Sequence, residues 1–113
     1  MGSLARKPHK LTVSYSPKAQ ASLDEIWDWN ARHYGRDHAQ RYIEFLQVET
    51  DKLVSAYLRG RRVPTRTEYR YITIKRRTRG YGHVAVYEII GDAVEILDYF
   101  HTAQDWQNKL AEE

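Results

Sequence analysis

The sequence predicts a small α+β domain in which a helical hairpin packs on an antiparallel sheet, in the order β-α-α-β-β-β. Three observations carry this. A short alternating run precedes two apolar stripes at helical spacing, and the stripes meet at Gly35. Three β-branched and aromatic-rich runs then follow between Glu68 and Trp106, separated by glycine-containing breaks. With 113 residues the chain suits one domain, and 42% hydrophobic residues suffice for one core.

Residues 1–9 read as a loose arm, with Met1-Gly2-Ser3 as an appended scar, and residues 10–113 as the domain. From Lys10 to Tyr15, Leu11, Val13 and Tyr15 alternate with Thr12 and Ser14, the period of a half-buried strand. Its place in the sheet is open. Ser16-Pro17 is a helix start, a hydroxyl able to cap followed by a proline whose missing N–H costs nothing there. Ala19, Leu23, Ile26, Trp27 and Tyr34 form the first stripe, and Gly35 is the stop. Asp24, Glu25 and Asp28 fall on the polar face as solvated charges rather than a metal or catalytic cluster. Asp37 is expected to cap a second helix of some twenty residues, with Ala39, Tyr42, Ile43, Leu46, Leu53, Val54 and Tyr57 as its stripe and Gly60 as its end. Arg61 to Thr67, with Pro64 and no periodicity, reads as a loop. Strands are expected over Tyr69–Lys75, Val84–Ile89 and Ala93–Phe100, the last two joined by a tight Gly91-Asp92 turn. Trp106 and Leu110 suit a short C-terminal helix.

Charge is distributed unevenly. Arg59 to Arg79 holds nine basic residues against one acid, Glu68, a local net of +8 that leaves −5 for the rest of a chain totalling +3. Such a segment favours phosphates or an acidic partner. The absence of Cys removes disulfides and thiolate chemistry and is compatible with the cytoplasm. No run is apolar enough to span a membrane, and no signal peptide is evident. No phosphate loop or serine elbow is present, and the five histidines lack metal-ligand spacing, so no metal or cofactor is expected. What remains for chemistry is arginine, tyrosine and histidine. Arg70, Arg76, Arg77 or Arg79 supplies a cation for a phosphate; His83 or His101 supplies proton transfer; Tyr71, Tyr81, Tyr87 and Tyr99 are candidates to stack on bases. Equally, His101 merely closes the last strand by hydrogen-bonding the backbone.

The stretch LTVSYSPKAQASLDEIWDW, the helix entered at HAQRYIEFL and above all GHVAVYEIIGDAVEILDYFHTAQDW resemble the RelE/ParE superfamily of type II toxin–antitoxin toxins, in order and spacing, from about Leu11 to Trp106. The long hairpin and the VEILDYFH ending resemble the ParE branch more than the RelE nucleases. Gln104 departs from the ParE pattern, where an arginine is usual. The resemblance implies a toxin that binds DNA gyrase, is neutralised by a ParD-like antitoxin, and meets operator DNA only as the toxin–antitoxin complex. On this reading Arg70, Arg76, Arg77, Arg79, Tyr99, His101 and Trp106 contact the target or partner. The RelE alternative, a ribosome-dependent mRNA endoribonuclease, would use Arg70, Arg79, Tyr99 and His101. A third reading is an inactive toxin fold kept as a binding module.

Overall fold

The computed structural model describes residues 11–112. The expected N-terminal arm and the strand's first residue, Lys10, lie outside them. The elements run β1 (Thr12–Tyr15), α1 (Pro17–Tyr34), α2 (Arg36–Asp51), α3 (Leu53–Ala56), a 3-10 turn (Tyr57–Arg59), β2 (Arg61–Val63), β3 (Arg66–Ile74), β4 (His83–Ile90), β5 (Ala93–His101) and α4 (Trp106–Ala111). The five strands form one sheet in the order β1-β5-β4-β3-β2. β1 pairs with β5 in parallel, and every other pairing is antiparallel.

The first helix starts as its sequence predicts: the Ser16 hydroxyl accepts the Ala19 amide at 3.0 Å, with Pro17 at the first helical position. Gly35 ends it at φ +92°, a conformation that favours glycine, and its amide bonds back to Ala31. Asp37 is not the cap of the second helix. Gly35 holds that position and Asp37 lies in the first turn, where a carboxylate still favours the exposed amides. The expected twenty-residue helix is also divided at Lys52, after which the chain tightens into α3 and a 3-10 turn.

Arg61–Thr67 is not a loop. It contains edge strand β2 and the start of β3, with Pro64 and Thr65 between them. Three residues reading Arg-Arg-Val carry no alternation, so the pairing is visible only in three dimensions.

The sheet is covered on both faces. On the hairpin side, Ala19, Leu23, Leu46 and Leu53 pack on Ile74, Ala85, Tyr87, Val94, Ile96 and Tyr99. On the other side, α4 brings Leu110 and Trp106 onto Val63, Val84, Val86 and Phe100, and the Trp106 ring lies 4.7 Å from that of Tyr71. A β-bulge decides which residues face the hairpin. Val86 opposes Asp98 but Tyr87 opposes Ile96, so Leu97 is an extra residue in β5. Strict alternation would put Ile96 and Tyr99 on opposite faces, yet both join the hairpin-side core. The same shift carries His101 to that face, opposite His83.

Candidate functional site: a basic, aromatic cleft beside the helical hairpin

Where the end of α1 and the start of α2 meet the 75–82 loop and the end of β5, they enclose a cleft of about 1220 Å³. Trp29, Tyr34, His38 and Tyr42 line its helical wall. Arg76, Arg77, Arg79 and Tyr81 line the loop wall, and His83, Phe100 and His101 come from the sheet. Gly82 sets the loop's approach: a Cβ there would fall 2.1 Å from the Ile74 carbonyl oxygen. The Gly82 amide donates to the Thr102 hydroxyl at 3.0 Å, and the Thr102 amide donates to the Gly82 carbonyl at 3.0 Å. This lattice fixes the two histidine-bearing strand ends side by side, with the His83 and His101 rings perpendicular and 5.3 Å apart.

The histidines are differently held. His83 is buried, and its Nδ1 lies 2.6 Å from the Tyr42 hydroxyl. Burial first, and the neighbouring His101 second, push its pKa down to about 4, so it is neutral at pH 7. Burial likewise pushes Tyr42 up to about 12, against the opposing pull of Arg76, so its hydroxyl keeps its proton. His101 Nδ1 accepts the Ala103 amide at 3.0 Å. An acceptor at Nδ1 means that the neutral ring carries its proton on Nε2. The alternative in which His101 closes the strand through the backbone is the geometry observed.

The loop arginines also differ. Arg76 lies 5.5 Å from the Tyr42 ring centroid and 5.4 Å from that of Phe45, a cation held over aromatic faces. Arg77 and Arg79 are exposed and make no hydrogen bond, ion pair or ring contact with the described residues. At the back of the cleft, buried Asp98 accepts the Ser22 hydroxyl at 2.5 Å and the Tyr99 amide at 2.8 Å, tying α1 to the bulge.

Thus four of the seven predicted contact residues, Arg76, Arg77, Arg79 and His101, are brought together. The other three are not equivalent to them. Tyr99 borders the cleft, but it is 4% exposed and its hydroxyl lies 2.7 Å from Thr50 Oγ1, which itself donates to the Leu46 carbonyl. The Thr50 proton is therefore committed and Tyr99 is the donor; burial raises its pKa to about 12. Arg70 is part of β3, four residues before its end and so roughly 13 Å along the strand. Its guanidinium donates to the carbonyls of Leu58 (3.3 Å) and Gly60 (2.7 Å). Trp106, the first residue of α4, is half-buried against the sheet. Of the four tyrosines proposed to stack on bases, Tyr87 and Tyr99 are buried and Tyr71 packs on Trp106. Tyr81 alone is open, at 75% exposure. Sequence reasoning missed Tyr34 and Tyr42 as cleft residues because aromatics at helical spacing read as core, and Trp29 because it falls in neither stripe. Among the described residues no group of three His, Cys, Asp or Glu is placed to hold a metal ion.

The family model of the ParE toxin of the type II toxin–antitoxin system parDE matches residues 13–106. The chain belongs to the ParE toxin family. It is similar to Toxin ParE1 of Mycobacterium tuberculosis, in both strain CDC 1551 / Oshkosh and strain H37Rv, at 29% identity over 97 residues, covering 84% of this chain and 93% of each relative. Its fold is similar to a solved chain of the chromosomal ParDE TA system from P. aeruginosa, with a TM-score of 0.69 and 22% identity over 81% of this chain and 96% of that one. The ParE assignment agrees with the VEILDYFH ending and the long hairpin, which form β5 and the α1–α2 pair.

Proposed function

We propose that this ParE toxin inhibits growth by binding DNA gyrase, with no covalent chemistry of its own, and that a ParD-like antitoxin neutralises it. The gyrase target is what the family resemblance implies. The observation that carries the non-chemical reading is the state of the cleft's histidines. A general base should have a pKa near the working pH and a free lone pair. His101 has its Nδ1 lone pair engaged by the Ala103 amide and its other nitrogen protonated, and His83 has a pKa of about 4. Tyr99 and Tyr42 hold their protons up to about pH 12. The arginines can still bind, and Arg77 and Arg79 have no intramolecular partner among the described residues to give up first.

The antitoxin's complement is the basic β2 edge. Arg61 and Arg62 are exposed on a three-residue edge strand, where an acidic, otherwise disordered segment can add backbone pairing to charge neutralisation. Operator binding then belongs to the pair. Among the described residues no helix is long and apolar enough to cross a membrane, which accords with action in the cytoplasm.

Purified protein in a gyrase supercoiling assay tests this: supercoiling should fall with toxin and recover when antitoxin is added. Codon-phased cuts in ribosome-bound message, with supercoiling untouched, would transfer the assignment to the nuclease reading. No growth inhibition on expression without antitoxin would instead favour an inactive binding module.

A further inference from the structure

We propose that the cleft is a binding groove for single-stranded nucleic acid, a property separate from any contact with gyrase protein. Three independent features support it. The first is size: about 1220 Å³ exceeds the roughly 300–1,000 Å³ of small-molecule pockets, so a chain-like ligand fits better than one small molecule. The second is aromatic exposure on both walls. Trp29 is 48% exposed, Tyr34 61% and Tyr81 75%, so their rings offer open apolar area on which a base can lie. Tyr81 is braced against His101 at 5.3 Å, and Trp29 against His33 at 4.0 Å, so each ring is held as a platform. The third is charge: Arg77 and Arg79 stand beside Tyr81 with no partner among the described residues, while Arg76 is already held over Tyr42 and Phe45.

Stacking platforms interleaved with backbone-neutralising cations are what binds a single strand without reading its sequence. A duplex hides its base faces and uses only the cations. An acidic peptide uses the arginines but has no use for exposed ring faces on opposite walls. The acids at the rim, Glu25 and Glu112, are exposed and leave the loop wall itself purely basic. Asp98 is buried and already accepts from Ser22 and from the Tyr99 amide.

Fluorescence anisotropy of the full chain with labelled oligo(dT) and oligo(rU) of about 12 nucleotides, and with a duplex of the same length, tests the proposal across a salt series. Both single strands should bind more tightly than the duplex; the tighter of the two identifies DNA or RNA as the ligand's source. Tyr81→Ala should weaken single-strand binding about tenfold with the salt slope unchanged, because it removes stacking and no charge. The Arg77→Gln/Arg79→Gln pair should instead lower the log–log salt slope by about 1.4, at roughly 0.7 per phosphate contact. Equal affinity for duplex and single strand, with no effect of Tyr81→Ala, would overturn it in favour of a generally basic surface. So would absence of oligonucleotide binding at low salt, or an acidic peptide that binds where the oligonucleotides do not. A parent protein that binds the oligonucleotides but leaves gyrase supercoiling unchanged would keep this proposal and overturn the gyrase reading, so the two fail separately.

Discussion

The two ends of strand β3 carry the same residue type in opposite conditions. At the β2 end, arginine is largely structural. Arg70 holds the Leu58 and Gly60 carbonyls, Arg62 holds the Thr67 carbonyl at 2.7 Å, and Arg66 donates to the Tyr69 hydroxyl at 2.8 Å while lying over its ring. At the cleft end, Arg77 and Arg79 have no partner among the described residues. Each end also has a glycine that permits close approach. Gly60 lies against the Tyr87 hydroxyl, which accepts its amide at 3.0 Å and donates to the Tyr57 carbonyl at 2.6 Å. Gly82 lies against the Ile74 backbone. Net charge along a sequence therefore does not mark a functional face. The two ends differ instead in whether the chain's own carbonyls already hold the guanidiniums, as they do those of Arg62 and Arg70.

Substitutions that break each end sharpen the contrast. The largest effect is expected from Gly82→Ala, whose Cβ would meet a backbone carbonyl 2.1 Å away. Backbone cannot rotate aside, so a loss of about 3 kcal/mol is expected in urea unfolding. Gly60→Ala meets the Tyr87 ring end at the same distance and would break both hydrogen bonds of that hydroxyl, for about 2–3 kcal/mol.

Acid should act through the cleft end. The folded pKa of His83, about 4, lies below its ordinary value of 6.5, so between those values the unfolded chain binds the extra proton. Stability is then fully present above pH 6.5 and is lost as the pH falls towards 4, by up to about 3 kcal/mol. His83→Gln should flatten that part of a melting-temperature-versus-pH curve; an unchanged slope would show that His83 does not titrate as its burial requires.

Arg70→Ala should cost about 1–2 kcal/mol by removing a charged donor from two carbonyls, while its activity, corrected for the folded fraction, stays unchanged. Reduced inhibition by fully folded Arg70→Ala would make this arginine a target contact after all. Smallest is Tyr99→Phe, expected to cost about 1 kcal/mol in the same unfolding assay because Thr50 keeps its bond to Leu46.

Much of this architecture was legible in the chain. Ser16-Pro17 and Gly35 bound α1 because capping chemistry is local, and Gly91-Asp92 joins β4 to β5 for the same reason. β2 was not legible, since Arg61-Arg62-Val63 becomes a strand only by pairing with β3. Nor was the parallel placement of β1 beside β5, which joins residues some eighty positions apart. The cleft was half legible. The loop arginines announced themselves by charge, whereas Tyr34 and Tyr42 sit at helical spacing that looks like core, and Trp29 lies off both stripes. His101 reaches the cleft through a bulge at Leu97, which no periodicity announces.

The division between the two ends is tested most directly by gyrase supercoiling with two double variants of matched thermal stability. Arg77→Ala/Arg79→Ala should lose inhibition by tenfold or more on the order of two exposed charged contacts, with stability within about 0.5 kcal/mol of the parent. Arg61→Ala/Arg62→Ala should inhibit as the parent does but need more antitoxin for neutralisation. Full inhibition by the cleft-end pair, with loss confined to the β2-edge pair, would contradict the account.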